Sequence, residues 1–210
     1  MARLATNEAA TQDAAVAASQ AATDAKTAAV ALDEIRTLVR SAEYHSRPNG
    51  GGSAHDALMS QIVGLRDDLA AHVGLARSLL APLYDTRRDD AQTLAEALRL
   101  LSTMDYGIDG YFFVFDTGGR NLLHPRQPEL QNQDLWDLKD AQGVPLIREL
   151  IARAHEGGGF VQYLWQKPST RTLTPKLAYA ISLPRWNMVI GTGLYLDDIQ
   201  GTLTQIDRQV

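Results

Sequence analysis

The chain has 210 residues, of which 45% are hydrophobic and 21% are charged, as in an ordinary soluble globular protein. Its formal net charge of −5 argues against nucleic-acid binding, because a surface that neutralises phosphates needs an excess of basic side chains. The absence of cysteine excludes disulfides, thiolate metal sites and cysteine nucleophiles.

The first 52 residues are predicted to form a helical extension that ends in a hinge. Residues 5–45 are rich in alanine, threonine and glutamine and contain neither proline nor glycine, which predicts a long helix. Because alanine buries little area, this helix either pairs with another helix, most simply its own copy, or remains a solvated extension. The Gly-rich run over residues 46–53 breaks it. We therefore divide the chain into an extension, 1–52, and a domain, 53–210.

A second long helix is predicted over residues 56–83, where the apolar spacing alternates between four and three for more than three heptads. Pro82 should end or bend this helix near its C-terminus. His72 lies on the apolar seam, where it either packs as an ordinary histidine or acts as a pH-dependent contact. The seam comprises Leu58, Ile62, Leu65, Leu69, His72, Ala76, Leu79 and Leu83.

A β-hairpin is predicted for residues 110–125. Residues 111–115 are aromatic or β-branched, which suits a half-buried strand. The turn at residues 116–119, Asp-Thr-Gly-Gly, tolerates positive φ, so that residues 121–124 return along the first strand. Pro125 ends the second strand, because proline cannot donate to a ladder of hydrogen bonds.

Two shorter helices and three strands complete the pattern. One helix precedes the hairpin, with an apolar face over residues 91–101, and the other follows Pro145 and ends at the glycines of residues 157–159. Gly191 and Gly193 interrupt the last strand and mark a bulge or a close approach of backbones. A terminal helix is expected from Leu196 onward. The strands are predicted at residues 160–166, 175–183 and 187–195.

The short connections between these elements predict an antiparallel sheet. Five strands with helices on one side give an α+β fold of the PAS-like kind, with the long helix at its N-terminus. Conventional catalytic motifs are absent from the sequence, and its five histidines form no helical i, i+4 pair. Asp197 and Asp198 suit the first turn of a helix better than they suit a pair of catalytic carboxylates. We therefore expect no enzyme activity, no metal and no cofactor.

Four stretches carry a family resemblance. They are Gly-Tyr-Phe-Phe-Val-Phe-Asp at the hairpin, residues 158–168, Pro-Lys-Leu-Ala-Tyr at residues 175–179, and Val-Ile-Gly-Thr-Gly-Leu-Tyr-Leu-Asp-Asp-Ile at residues 189–199. Together they span about residues 75–200, and in this order they resemble the single-Cache family of bacterial sensor domains. The resemblance implies a PAS-like domain that binds a small molecule, commonly an organic acid such as acetate, propionate, lactate or pyruvate. It also implies a homodimer through the N-terminal helices.

The expected ligand site is an aromatic pocket between the sheet and its loops. A carboxylate ligand needs a cation and hydroxyl donors, and Arg77 or Arg99 are further candidates for the cation. Strand alternation places Lys176 and Tyr179 on opposite faces, so only one of them enters the pocket unless a bulge intervenes. Ordinary roles as core aromatics and a solvated lysine are the alternative. The candidates are Tyr111, Phe113, His124, Tyr163, Trp165, Lys176 and Tyr179.

The favoured function is the ligand-binding sensor domain of a bacterial histidine kinase or chemoreceptor, whose output module lies outside this chain. A dimerisation module with a vestigial pocket is the alternative. No apolar run approaches the roughly 20 residues that span a bilayer. The resemblance nevertheless implies a periplasmic or extracytoplasmic fragment, excised from between membrane helices, and a cytoplasmic protein is the alternative. Contact with a membrane is expected only through segments absent from this chain.

Overall fold

The computed structural model describes residues 54–85 and 91–197. The predicted alanine-rich helix 5–45, the hinge and the terminal helix beyond Asp197 lie outside the described residues. Of the described helices, none is long and apolar enough to cross a membrane.

Helices and strands follow one another much as the sequence predicts. The long helix runs two residues further at each end than its predicted span of 56–83, and Pro82 lies inside its last turn rather than ending it. Short 3-10 turns at Pro128–Leu130 and Pro184–Trp186 lie in the connections. The elements are α1 Ala54–Asp85, α2 Ala91–Ser102, β1 Asp105–Tyr106, β2 Gly110–Asp116, β3 Asn121–Leu123, α3 Leu146–His155, β4 Gly159–Gln166, β5 Leu173–Leu183 and β6 Met188–Tyr195.

The strands form an antiparallel sheet in the order β1-β2-β6-β5-β4, and β3 shares the outer edge of β2 with β1. This arrangement confirms the predicted α+β fold with an antiparallel sheet and a long N-terminal helix. Strand β1 was not predicted, because its two residues, Asp105–Tyr106, are too few to show an alternating pattern. The predicted hairpin corresponds to β2 and β3, which pair antiparallel.

Helices cover both faces of the sheet, whereas the sequence predicted helices on one side. On one face, α1 and α2 pack through residues such as Val73, Ala97 and Leu101 against Phe112 and Ile190 of the strands. The opposite face is covered by α3 and by the connection between β3 and α3. Its core includes Tyr111, Phe113, Leu146, Leu150, Ile151, Ala154, Val161, Tyr163, Ala178, Ala180 and Val189.

The buried side of α1 differs from the predicted heptad seam. Leu79, a seam residue, is 42% exposed, whereas Val73 and Leu80 outside the seam are buried. A straight α-helix has 3.6 residues per turn, so a strict seven-residue pattern drifts by about 20° per heptad around its axis. By the last two turns, the side facing the sheet has therefore moved away from the seam. The buried residues are Ile62, Leu69, Val73, Ala76 and Leu80.

Gly191 allows two strands and an aromatic ring to meet closely. A Cβ atom at this position would lie 2.6 Å from the ring of Phe113 and 2.9 Å from the carbonyl oxygen of Tyr179. The pairing of β6 with β2 and with β5 keeps one register at Gly191, and the pairing with β5 continues unbroken through Gly193, so the glycines mark a close approach and not a bulge. The sequence had left these two possibilities open.

We expect Gly191→Ala to lower the free energy of unfolding by about 1–3 kcal/mol, because the added methyl group overpacks the sheet against Phe113. Chemical denaturation of the purified chain measures this change. Gly64→Ala is the matched control, since Gly64 is helical and a Cβ atom there would have nothing within 4 Å. It should raise stability by about 0.5–1 kcal/mol through helix propensity. Equal effects of the two substitutions would contradict the packing argument.

Candidate functional site

The candidate site centres on Lys176, a lysine of the inner strand β5 that is only 1% exposed. Its Nζ donates a hydrogen bond to the hydroxyl of Tyr111 at 2.8 Å. The same nitrogen lies 4.1 Å from the ring centroid of Tyr111, 5.4 Å from that of Phe113 and 5.3 Å from that of Tyr195. An ammonium group gains cation–π attraction from such rings, most strongly where water is excluded.

Small residues beside Lys176 make room for its side chain. Gly193 pairs with Ala178 on β5, and Gly191 pairs with Ala180, so four small residues share this face of the two strands. A Cβ atom at Gly193 would lie 2.7 Å from Cε of Lys176. Because larger residues would fill this space, the glycines and alanines allow the lysine to lie flat among the rings.

Two ring nitrogens near Lys176 lack hydrogen-bond partners. Among the described residues, neither Nδ1 of His124 nor Nε1 of Trp165 makes a hydrogen bond, although both atoms are buried. The His124 ring lies 4.9 Å from the ring of Tyr111 and 5.7 Å from that of Trp165, so both groups belong to this cluster. A buried polar group without a partner costs about 1–3 kcal/mol, and such a group calls for an explanation. A bound ligand with acceptor atoms is one explanation.

Burial dominates the electrostatics of the cluster. It lowers the pKa of Lys176 from 10.5 to about 7. It also lowers the pKa of His124 to about 3, and the neighbouring Lys176 contributes to that shift. Burial raises the pKa of Tyr111 and Tyr163 well above 10, so both remain neutral hydroxyls. Within the described part of the chain, no carboxylate forms an ion pair with Lys176.

Most of the sequence-predicted site residues lie together, but Tyr179 does not. Its ring packs on the opposite face of the sheet, 4.7 Å from the ring of Phe160. Strand β5 keeps an unbroken register with both neighbours, so nothing rotates Tyr179 toward Lys176. The residues brought to one face are Tyr111, Phe113, His124, Tyr163, Trp165 and Lys176.

Neither of the helix arginines considered as the cation reaches this cluster. Both belong to helices that cover the other face, and Arg99 forms an exposed ion pair with Glu96. Sequence reasoning also missed Tyr195, which lies directly opposite Lys176 in the pairing of β5 with β6. Its ring therefore shares the face of Lys176. The strand register was the missing information, because the alternation within one strand does not show which residues face each other across two strands.

The connection between β3 and α3 covers the cluster, since its Leu135, Leu138 and Val144 pack with the aromatic residues of the sheet. Asp140 fixes this connection: its Oδ1 accepts hydrogen bonds from the amides of Gln142 and Val144, and its Oδ2 accepts one from the amide of Leu164 on β4. A cleft of about 470 Å³ opens beside it. The cleft is lined by Arg126, Gln127, Glu129, Gln166, Lys167, Pro168 and Arg171, on the segments that follow His124 and Trp165.

Comparison with known proteins identifies relatives among receptors. Residues 67–209 match the family model described as Single Cache domain 2. A sensor histidine kinase of Rhizobium johnstonii, MctS, is 46% identical over 126 residues, which are 60% of this chain and 27% of that protein. The chain thus spans about a quarter of the length of the curated relatives that it matches.

Solved structures agree in fold. The crystal structure of a methyl-accepting chemotaxis protein from Vibrio parahaemolyticus is 36% identical, with a TM-score of 0.65 over 69% of this chain and 97% of that one. A second structure, described as the basis for carboxylic acid recognition by a Cache chemosensory domain, is 22% identical, with a TM-score of 0.58 over 69% and 99% of the two chains. At that identity the second likeness concerns the fold alone.

We expect the stability of the ligand-free protein to rise with pH between about 7 and 10, at about 1 kcal/mol per pH unit. The pKa of Lys176 falls from 10.5 to about 7 on folding, so in this window the unfolded chain holds a proton that the folded chain has released. Urea denaturation at pH 7, 8 and 9 measures the slope. Lys176→Met should flatten it, whereas substitution of the exposed Lys139 by Met should not. A wild-type slope in Lys176→Met would contradict the burial argument.

Proposed function

The chain belongs to the single Cache domain 2 family of sensor domains, and we propose that it binds a small carboxylate through Lys176. The observation that supports this ligand class best is a buried lysine without an acidic partner among the described residues. A carboxylate is the counter-charge that such a lysine lacks. Single Cache domains serve receptors as non-catalytic sensors, and the relatives' catalytic or signalling modules lie outside the matched region.

The donors of the cluster suit one carboxylate. The ammonium of Lys176 and the hydroxyl of Tyr111 are within hydrogen-bond distance of each other, so one ligand oxygen that lies beside the pair can accept from both. Trp165 offers an indole N–H, and neutral His124 offers one ring N–H. Charge-assisted hydrogen bonds of this kind are about twice as strong as neutral ones.

The surroundings favour a small ligand with a single charge. Aromatic rings from Phe113, Tyr163 and Tyr195 surround the donors, and Lys176 is the cation among them. A second carboxylate on the ligand would meet these rings instead of a counter-charge. We therefore propose monocarboxylates, with acetate, propionate, lactate and pyruvate as the first candidates.

Binding must accompany a change in the cover of the site. Lys176 is nearly inaccessible, so a ligand reaches it only when the connection between β3 and α3 moves. A ligand that binds the open or rearranged state shifts the population toward that state. This shift is the signal that the domain passes to the rest of the receptor. We place the domain in the extracytoplasmic part of an inner-membrane histidine kinase or chemoreceptor.

Isothermal titration calorimetry at pH 6 with the four monocarboxylates tests the ligand class. We expect one of them to bind, and Lys176→Met to weaken its affinity at least about 30-fold, because a hydrogen bond to a charged group contributes about 2 kcal/mol or more. Tyr179→Phe is the control on the opposite face of the same strand and should bind as the wild type does. Equal loss in both variants would point to a general structural effect and remove Lys176 from the site.

A second candidate function is a dimerisation module, and the outer side of α1 favours it. Leu75 is 61% exposed and Leu79 is 42% exposed, and the half-exposed Val63 lies on the same helix. Large apolar side chains exposed along one helix suit contact with a second copy of the helix. A sensor domain can also dimerise, so the two candidate functions exclude each other only if the pocket is vestigial and binds no ligand. A thermal-shift screen without any response to organic acids, together with a tight dimer, would favour the module alone.

Sedimentation equilibrium tests the dimer. We expect Leu75→Glu with Leu79→Glu to raise the dimer dissociation constant at least about tenfold, since carboxylates buried in an apolar contact lose their hydration. Gln92→Glu adds a negative charge on the exposed side of α2 and should leave the dimer intact. A dimer that survives the double substitution would exclude this side of α1 as the contact.

A further inference from the structure

We propose that this site takes up a proton together with the carboxylate, so that the species removed from solution is in sum the undissociated carboxylic acid. This inference rests on the proposed function of Lys176. Its physical basis is the enclosure of one lysine by aromatic rings, with no counter-charge in the described part of the chain. An isolated ammonium in such surroundings is costly, whereas an ammonium paired with a carboxylate is far less so.

Among the residues that the structure describes, the groups that face Lys176 supply no negative charge. Strand β2 contributes the hydroxyl of Tyr111, the end of β3 contributes His124, β4 contributes Tyr163, and β6 contributes Tyr195. Each of these is neutral near pH 7, since burial raises the pKa of the three tyrosines and lowers that of His124.

Carboxylates near this face are engaged elsewhere. Asp109 and Asp197 pair with Lys167, whose nitrogen lies 5.9 Å from the ring centroid of Tyr195, a ring that Lys176 also contacts. Asp140 accepts three backbone hydrogen bonds in the covering connection. The side of α3 that packs on the face of Lys176 is apolar, and α1 and α2 pack on the opposite face of the sheet. With respect to residues 54–85 and 91–197, an incoming carboxylate is therefore the first negative charge that Lys176 meets.

The proton goes to Lys176 and not to His124. Burial brings the pKa of the empty-site lysine to about 7, while that of His124 is about 3, so the lysine is by far the stronger base of the two. A bound carboxylate raises the pKa of Lys176, because it stabilises the charged form. The amine then gains one proton from the solvent, and the ligand remains an anion hydrogen-bonded to the ammonium. No bond of the ligand is made or broken.

Because proton uptake is linked to ligand binding, the dissociation constant depends on pH in a predictable way. Below pH 7 the empty site already carries the proton, so binding takes up little. Above pH 7 binding takes up nearly one proton, and the dissociation constant rises about tenfold for each pH unit until the pKa of the occupied site is reached. A preformed ion-pair site with a permanently charged lysine would show neither the uptake nor the pH dependence.

Titration calorimetry in buffers of different ionisation enthalpy measures the uptake directly. Phosphate and Tris at pH 8.5 are compared, with a second buffer pair at pH 6, using whichever of acetate, propionate, lactate and pyruvate binds at pH 6. From the lysine pKa of about 7, we expect about 0.9 to 1 proton per ligand at pH 8.5 and about 0.1 at pH 6. Tyr179→Phe should behave as the wild type.

Lys176→Arg sharpens the test, because arginine stays protonated throughout this range. Where it binds, it should show no uptake and a flat affinity between pH 6 and 8.5. Binding by the wild type without proton uptake at pH 8.5 overturns this inference and leaves the carboxylate site standing. If none of the four acids binds at pH 6, the proposed function itself fails. A ¹³C-labelled lysine whose resonance titrates near 10 in the empty protein would also overturn the inference.

Discussion

The burial of one lysine, for which the described residues provide no counter-charge, constrains the rest of this structure. Lys176 is held by a single hydrogen bond to Tyr111 and by three aromatic rings. The rings approach it only because the neighbouring strand presents Gly191 and Gly193. An ammonium in such surroundings is costly unless it is paired, so this position lowers the stability of the folded domain. Under the proposed function, the same cost favours the binding of an anion.

The candidate site lies on one face of the sheet, and the long helix α1 packs on the other face. Side chains alternate along each strand, so β5 places Lys176 on the site face and Tyr179 on the face of α1 and α2. Because β5 carries both side chains, a displacement of this strand would change the packing on both faces of the sheet. Tyr195 links the cluster to the end of β4, because its hydroxyl donates a hydrogen bond to the carbonyl of Gln166. The next residue, Lys167, donates to Asp197, which follows β6 in the chain.

Local patterns predicted a large part of the fold. The hairpin turn, the aromatic strand after Gly110 and the alternation in β4 and β5 depend on neighbours in sequence, and the structure has them where they were predicted. The errors concern relations between distant elements. The apolar stripe of α3 indicated that one side of this helix is buried, but not that it packs on the face of the sheet opposite α1. The predicted seam of α1 likewise turns away from the sheet along the helix, so that Leu79 is exposed.

For the site, the sequence by itself determined the chemistry available: one lysine in a strand, hydroxyl and indole donors, aromatic walls and no cysteine. It also determined that Lys176 and Tyr179 face opposite ways, because that follows from the two-residue period of a strand. Only the tertiary structure decided which of the two joins the cluster, that Tyr195 lies opposite Lys176, and that no acid neutralises the lysine within the described residues. Those facts depend on strand register and on which elements cover each face, which are set by contacts between residues far apart in the chain.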